Sequence, residues 1–264
     1  MKNLLSDEGA AALARLAQEP ALYAFDFDGT LAPIVPRPDQ ARSPGNVLRL
    51  LHTLAQVAPV AVISGRRRAD LEALVPPAVR YRIGNHGNEG APGGPDPDEL
   101  HAVCRGWLEQ LRPMFAENPL APEALVEDKG LSLSLHFRLA RQRQAVQAWL
   151  QSCIDRLAPA PRVIGGKLIY NLLPPGSLTK FEALAALTHM ERVVEVLFVG
   201  DDDTDELVFA QAPEHWITVR VERERGSQAR YFVHHQSGVA LLLERLVRDR
   251  GQAMERTERS TSGS

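Results

Sequence analysis

Tyr23-Ala24-Phe25-Asp26-Phe27-Asp28-Gly29-Thr30-Leu31 sets two carboxylates, two residues apart, at the end of a short apolar run that Gly29 then breaks. The run reads as a buried strand over about residues 21–26 that opens onto a loop. Strand side chains alternate with a period of two, so Asp26 and Asp28 are expected on one side of the strand end. Carboxylates held this close repel and raise one another's pKa. A divalent cation removes that penalty, and oxygen ligands with a phosphate alongside suit Mg²⁺. The pattern points to metal-assisted phosphoryl chemistry, with one Asp as nucleophile and the other as acid/base. The competing reading is an acidic turn, since Asp-Gly is a common turn former.

A second apolar run, Val196-Leu197-Phe198-Val199, ends in Gly200-Asp201-Asp202-Asp203-Thr204-Asp205-Glu206, with five acids in six positions. Asp203 or Thr204 is expected to cap the next helix, and Asp201 or Asp202 to face a metal. A third run, Val60-Ala61-Val62-Ile63, ends in Ser64-Gly65-Arg66, where a hydroxyl and backbone N–H groups suit a phosphate at a helix start. Lys180, in Gly176-Ser177-Leu178-Thr179-Lys180, supplies a fixed positive charge for a transferring phosphoryl group.

In this order the four elements resemble the haloacid dehalogenase superfamily, and within it the trehalose-6-phosphate phosphatase family. The closer likeness rests on Asp26 through Ile34, Ile63-Ser64-Gly65-Arg66, Gly84-Asn85-His86-Gly87, Lys129 through Arg138, Gly166-Lys167 and Gly200 through Glu206. It implies an α/β fold, a Rossmann-like parallel-sheet core carrying an inserted α+β cap, with the site at the carboxyl edge of the sheet. It also implies Mg²⁺ held by Asp26, Asp201 and the backbone carbonyl of Asp28. Asp202 and Asp205 then support Lys180 or metal-bound waters. Asp26 would be the nucleophile, Asp28 the acid and then the base, beginning protonated. Ser64, Gly65 and Lys180 would neutralise the remaining phosphate charge. Residues matching Glu127, Lys129 and Lys167 contact the sugar, and those matching His86 and Arg66 lie near its phosphate end. Two departures stand out. Asn171 occupies a position where the family carries Glu, and the Lys180 loop is one residue longer, with Phe181 in place of Gly. Other readings on the same fold are a phosphatase for sucrose, mannosylglycerate or glucosylglycerate phosphate, and a phosphomutase.

The alternation of elements agrees with such a fold. Residues 7–18 read as a helix with Asp7 as cap, followed by the first strand and a loop in which Pro33, Pro36 and Pro38 forbid helix. Helix 44–57, strand 59–63, helix 67–74 and a strand near 80–84 then give a parallel βαβα pattern. After a Pro/Gly/Asp-rich hinge, Ala91 to Asp98, the pattern changes. Helix 98–117, strands 123–128 and 131–138, helix 142–157, and strands 161–165 and 168–172 form a twofold αββ unit. Elements at 179–189, 195–199, 204–211, 216–220 and 236–248 resume α/β alternation. The expected division is a core of residues 1–95 and 174–250, a cap of 96–173, and a disordered polar tail of 251–264.

Composition excludes several other classes. A net charge of −3 with no basic stripe argues against nucleic acid, and no run approaches the about 20 apolar residues of a membrane span. Cys104 and Cys153, without CxxC spacing, read as packed thiols in a reducing cytoplasm. Met1 to Pro20 is too charged for a secretion signal. The expected protein is a soluble cytoplasmic monomer acting on a small sugar phosphate, with a functional link to a trehalose-6-phosphate synthase.

Overall fold

The computed structural model describes residues 1–35, 37, 40–166 and 168–262. Its main sheet uses β1 (Lys2–Asn3), β2 (Ala21–Phe25), β3 (Val60–Ile63), β4 (Tyr81–Ile83), β9 (Glu195–Gly200), β10 (Ile217–Val221) and β11 (Tyr231–Val233). Every pairing is parallel, in the order β1-β11-β10-β9-β2-β3-β4. A parallel sheet is covered on both faces, which explains why β2, β3 and β10 are buried at every position instead of alternating. One face packs on α1 (Asp7–Gln18), α2 (Gly45–Val57) and α8 (Gly238–Ser262), and the other receives α6 (Lys180–Glu191) and α7 (Asp203–Gln211). From β2 the chain winds outward through β3 and β4, then returns to β9 on the opposite side of β2 and winds the other way. The order therefore reverses between β2 and β9, where open α/β sheets leave a crevice at their carboxyl ends.

A second sheet is antiparallel, in the order β5-β6-β8-β7, from β5 (Leu125–Asp128), β6 (Leu133–His136), β7 (Arg162–Gly166) and β8 (Ile169–Leu173). Leu133, Leu135 and Leu172 on one face pack with Cys104, Trp107 and Leu111 of α4 (Pro97–Ala116) and Val146 and Leu150 of α5 (Arg143–Ile154). The opposite face carries Glu127, Ser134 and Asn171, which sit side by side in the ladder. The two cysteines are free and buried in this packing, as thiols.

The structure corrects several local expectations. Ser6, not Asp7, precedes the first turn of α1. Asp202, not Asp203 or Thr204, caps α7, accepting hydrogen bonds from the Thr204 and Asp205 backbone N–H groups. β1 and β11, two and three residues long, were not expected because so short a run carries no readable period. The tail expected to be disordered from residue 251 is helical through Ser262, as the last turns of α8. Its anchor is Arg250, whose guanidinium donates to the carbonyls of Ala17 and Glu19 at 2.8 and 3.1 Å, while Ala253 is buried. A helix nucleated by such packing propagates through polar helix formers without an apolar stripe of its own. Residues 263–264 of that tail lie outside the described residues. Among the described residues no helix is long and apolar enough to cross a membrane.

Candidate active site

The carboxyl ends of β9, β2 and β3 converge on a cleft of about 570 Å³ that the second sheet overhangs. Asp26 follows β2 directly, and its N–H donates to Val199 O at 2.8 Å, so the ladder itself fixes its position. Its carboxylate is buried and accepts from Lys180 Nζ at 2.7 Å; the same ammonium donates to Asp205 Oδ1 at 2.8 Å. Lys180 is the first residue of α6, aimed by a capping box in which Thr179 and Glu182 bond reciprocally. The longer loop thus still delivers Lys180 to Asp26.

Electrostatically the site is an excess of buried acid around one base. Burial pushes the Asp26 carboxyl well above its usual range, Lys180 opposes that, and Asp205, Asp202 and Asp201 add to it. Burial likewise raises Asp205 to about 6. Burial alone would lower Lys180, but Asp205 and Asp26 outweigh it and hold the ammonium well above its ordinary range. Asp202 is also desolvated, yet Lys180 and the Thr204 hydroxyl bring it below the ordinary carboxylate value. Asp201 is pushed to about 8 by burial, then by Asp205 and Asp202.

Carboxylate oxygens of Asp26, Asp201 and Asp205 lie within 4.8 Å of one another. Asp205 has both oxygens engaged, one by Lys180 and the other by the Asp201 and Asp202 N–H groups at 2.9 and 3.1 Å. Among the described residues Asp201 Oδ1 has no hydrogen-bond partner although it is buried. An orphaned carboxylate oxygen facing a second buried carboxylate fits a divalent cation, and the surplus acid is what such an ion would neutralise. Asp201 reaches this point only because Gly29, at φ 83°, leaves room: a Cβ there would stand 2.0 Å from Asp201 Oδ2. Asp201→Asn is expected to raise the melting temperature of cation-free protein by roughly 2–4 °C, as relief of about 1 kcal/mol of repulsion would do. The same variant should lose the further rise that a millimolar divalent cation is expected to give the parent in a thermal melt. An unchanged cation response would remove Asp201 from the metal site.

Asp28 diverges from Asp26. Its two oxygens accept from Arg66 Nη2 and Nε at 2.6 and 2.7 Å, and the guanidinium lies over the Phe27 ring at 5.2 Å. A protonated Asp28 keeps only one of those contacts, so the starting state expected for a general acid is not the paired state seen here. Ser64 follows β3 and its Oγ accepts from Arg66 N at 3.3 Å; α3 (Arg68–Leu74) begins too far on for Ser64 to stand at its start. Gly65 lies against the His86 ring, close enough that a Cβ would meet His86 Cε1 at 2.5 Å. His86 has φ 59° and is lowered to about 3, chiefly by burial and then by Lys129 and Lys180, so its ring is neutral. Neither ring nitrogen has a partner among the described residues.

From the second sheet, Glu127, Lys129 and Asn171 all line the cleft. Glu127 is held below its ordinary range by His136 Nε2 at 2.7 Å, against an opposing effect of burial. Burial lowers Lys129, with Glu127 acting in the other direction from 3.8 Å. Asn171 Oδ1 accepts from Ser134 Oγ at 2.8 Å. Lys167 lies outside the described residues. Arg138, His136 and Arg42 also line the cleft and were not singled out from sequence. Arg138 and His136 fall inside the Lys129–Arg138 stretch that carried the resemblance, which was the available signal.

Residues 24–237 match the family model described as Trehalose-phosphatase. This chain belongs to the trehalose-phosphatase family. The trehalose-6-phosphate phosphatase of Escherichia coli is 35% identical over 207 residues, which are 74% of this chain and 76% of that protein. A trehalose-phosphate phosphatase of Mycobacterium tuberculosis is 32% identical across 90% of this chain and 64% of its own length. The C-terminal domain of the Candida albicans trehalose-6-phosphate phosphatase superposes with a TM-score of 0.70 at 21% identity, covering 90% of this chain and 96% of that one. That likeness establishes the fold: an α/β architecture on a parallel-sheet core, as expected from the Asp motifs.

Proposed function

We propose that this family member hydrolyses trehalose 6-phosphate to trehalose and phosphate, with Mg²⁺ as the cation. The observation that carries the chemistry is Lys180 Nζ lying 2.7 Å from the buried Asp26 and 2.8 Å from Asp205. An ion pair of that kind fixes a nucleophile and a phosphate-binding charge together at the floor of an open cleft. Asp26 and Asp201, with the Asp28 carbonyl, would hold Mg²⁺, which when bound neutralises the carboxylates and polarises a phosphate oxygen. An Asp26 oxygen attacks phosphorus as the bond to the sugar oxygen breaks, giving an aspartyl-phosphate, and Asp28 passes a proton to the departing alkoxide. Water then attacks phosphorus, Asp28 takes its proton, and Asp26 is released with inorganic phosphate. For Asp28 to do this, Arg66 must let go of one of its oxygens, and an arriving phosphate is the natural alternative partner for a guanidinium. Ser64 and Gly65 contact the same phosphate.

In this reading residues 96–173 form the cap, and Glu127, Lys129, Lys167, Asn171 and the neutral His86 bond sugar hydroxyls or the phosphate end. The cleft of about 570 Å³ lies within the roughly 300–1,000 Å³ typical of small-molecule sites. The reading includes a cytoplasmic monomer. It also includes a link to a trehalose-6-phosphate synthase, since the substrate must come from a sugar transfer.

The test is phosphate release from trehalose 6-phosphate, sucrose 6-phosphate, glucose 6-phosphate and an aryl phosphate, with and without Mg²⁺. Trehalose 6-phosphate is expected to lead the others by at least ~10²-fold in kcat/KM, because a site that hydrogen-bonds one sugar's hydroxyls is left with unpaired polar groups by analogues that lack or misplace them. A different sugar in the lead leaves the chemistry and rejects the sugar assignment, with Asn171 as the first position to change. Isomer exchange without phosphate release would instead identify a mutase.

A further inference from the structure

The hairpin turn between β5 and β6 carries Lys129 over the cleft, and it is fastened to the main-sheet unit by the buried Asn85 side chain and, at its exposed edge, by Arg67 Nη2 donating to Asp128 O. Asn85 is fully buried, and its Nδ2 donates to Lys129 O at 3.2 Å while its Oδ1 accepts from Ser132 Oγ at 2.8 Å. The turn closes on itself by Lys129 N donating to Ser132 O at 3.0 Å, so Asn85 grips both ends of a preformed loop. Only one amide orientation serves, because the other sets the Asn85 oxygen against the Lys129 carbonyl.

The same residue is tied to the phosphate side of the cleft. Asn85 N donates to Arg66 O at 2.7 Å, and His86 N to Ser64 O at 2.9 Å. Asn88 continues the chain of contacts: its Nδ2 donates to Asn85 O at 2.8 Å and to Leu178 O at 3.1 Å, and its Oδ1 accepts from Leu178 N at 2.7 Å. Leu178 stands two residues before Lys180. Asn85 also holds φ 48°, a left-handed conformation that Asn tolerates better than most side chains.

We infer that Asn85 is a positioning residue that docks the sugar-facing β5–β6 hairpin onto the Arg66–His86 and Lys180 loops, so that substrate held by the hairpin is registered against Asp26. This rests on the sugar phosphatase reading above. It assigns binding specificity to a residue that need not touch substrate.

The decisive variants are Asn85→Gly, which keeps the left-handed backbone and deletes the amide, Ser132→Ala, and the two combined. With trehalose 6-phosphate, Asn85→Gly should lower kcat/KM about 10–100-fold, the scale expected of a 1 Å misplacement. With a small aryl phosphate, which needs no hairpin, the change should stay within about 3-fold. The double variant should lose no more than Asn85→Gly alone, since both break one contact set. Hydrogen–deuterium exchange gives a readout independent of catalysis: amides of residues 125–136 should exchange faster in Asn85→Gly, while those of β9 stay unchanged. Equal losses on both substrates, no loss on either, or unchanged exchange in the hairpin would overturn the inference. If the parent protein hydrolyses the aryl phosphate but not trehalose 6-phosphate, the sugar reading fails, and the exchange experiment alone decides the role of Asn85.

Discussion

Asp26→Asn is expected to abolish turnover, with kcat falling by at least roughly 10⁴-fold, the scale seen when a covalent nucleophile is removed. The amide oxygen is a poor nucleophile, and it cannot serve as an anionic cation ligand. The fold should survive the change. Lys180 keeps its 2.8 Å ion pair with Asp205, and the Asp26 backbone N–H still donates to Val199 O at 2.8 Å. The variant also removes one member of a crowded acid set, because Asp205, Asp202 and Asp201 all disfavour charge on Asp26. A thermal melt at or above that of the parent, together with absent phosphate release, is therefore the expected pair of results. Borohydride reduction of the parent during turnover should convert Asp26 to homoserine, detectable by peptide mass spectrometry, and the variant should give none. Residual activity within about 10-fold of the parent would remove Asp26 from the nucleophile role, because groups acting as a unit with the nucleophile show losses far larger than that.

The parts of this site that were legible in the sequence are those whose chemistry is costly anywhere else. Acids at the ends of the buried runs before Asp26 and Asp201 are denser than a turn or the Asp202 cap of α7 requires, so they made β2 and β9 the expected chemical edge. The parallel sheet was equally readable, because β2, β3 and β9 are apolar runs and α2, between the first two, is amphipathic. Direction was less readable. Both Asp side chains were expected on one side of the strand end, yet β2 stops at Phe25. Beyond it the chain turns, with Gly29 N donating to Ala32 O at 2.8 Å, and Asp28 swings to Arg66 while Asp26 stays on Lys180. A period of two ends where the strand ends. Asn85 and Ser132 lie inside stretches that carried the resemblance but were not singled out, since an uncharged polar residue acquires meaning only from what the fold places beside it. The helical continuation past Arg250 was missed for a similar reason: its anchor is the far end of α1, more than 200 residues away in sequence.

Lys180→Met should cause the largest loss of stability of any single change at this site, about 3–5 kcal/mol in cation-free protein, the cost of removing one partner from a buried ion pair. Met matches the aliphatic length of Lys, so little of that loss is packing. Lys180 is 2% exposed and is the only cation bonded to the Asp26 and Asp205 carboxylates among the described residues. Without it two buried carboxylates face each other and Asp201, with the backbone N–H groups on Asp205 and the more distant Arg220 left to oppose them. The penalty has a definite sign with pH. Asp205 titrates near 6 because burial raises it, and Lys180 is the main influence pulling it down. A carboxyl whose folded pKa is raised binds its proton more tightly in the folded state, so stability is present at low pH and is lost as pH rises through that value. Deleting Lys180 moves this loss to higher pH and enlarges it. Urea titrations in EDTA should then show a deficit that is small near pH 5 and full near pH 8. Divalent cation should restore part of the deficit at pH 8, since a bound ion neutralises the same acids. A deficit independent of pH, or below about 1 kcal/mol throughout, would show that Lys180 does not neutralise these carboxylates. The ammonium would then be available for substrate alone, and the buried acid cluster would need another counter-charge.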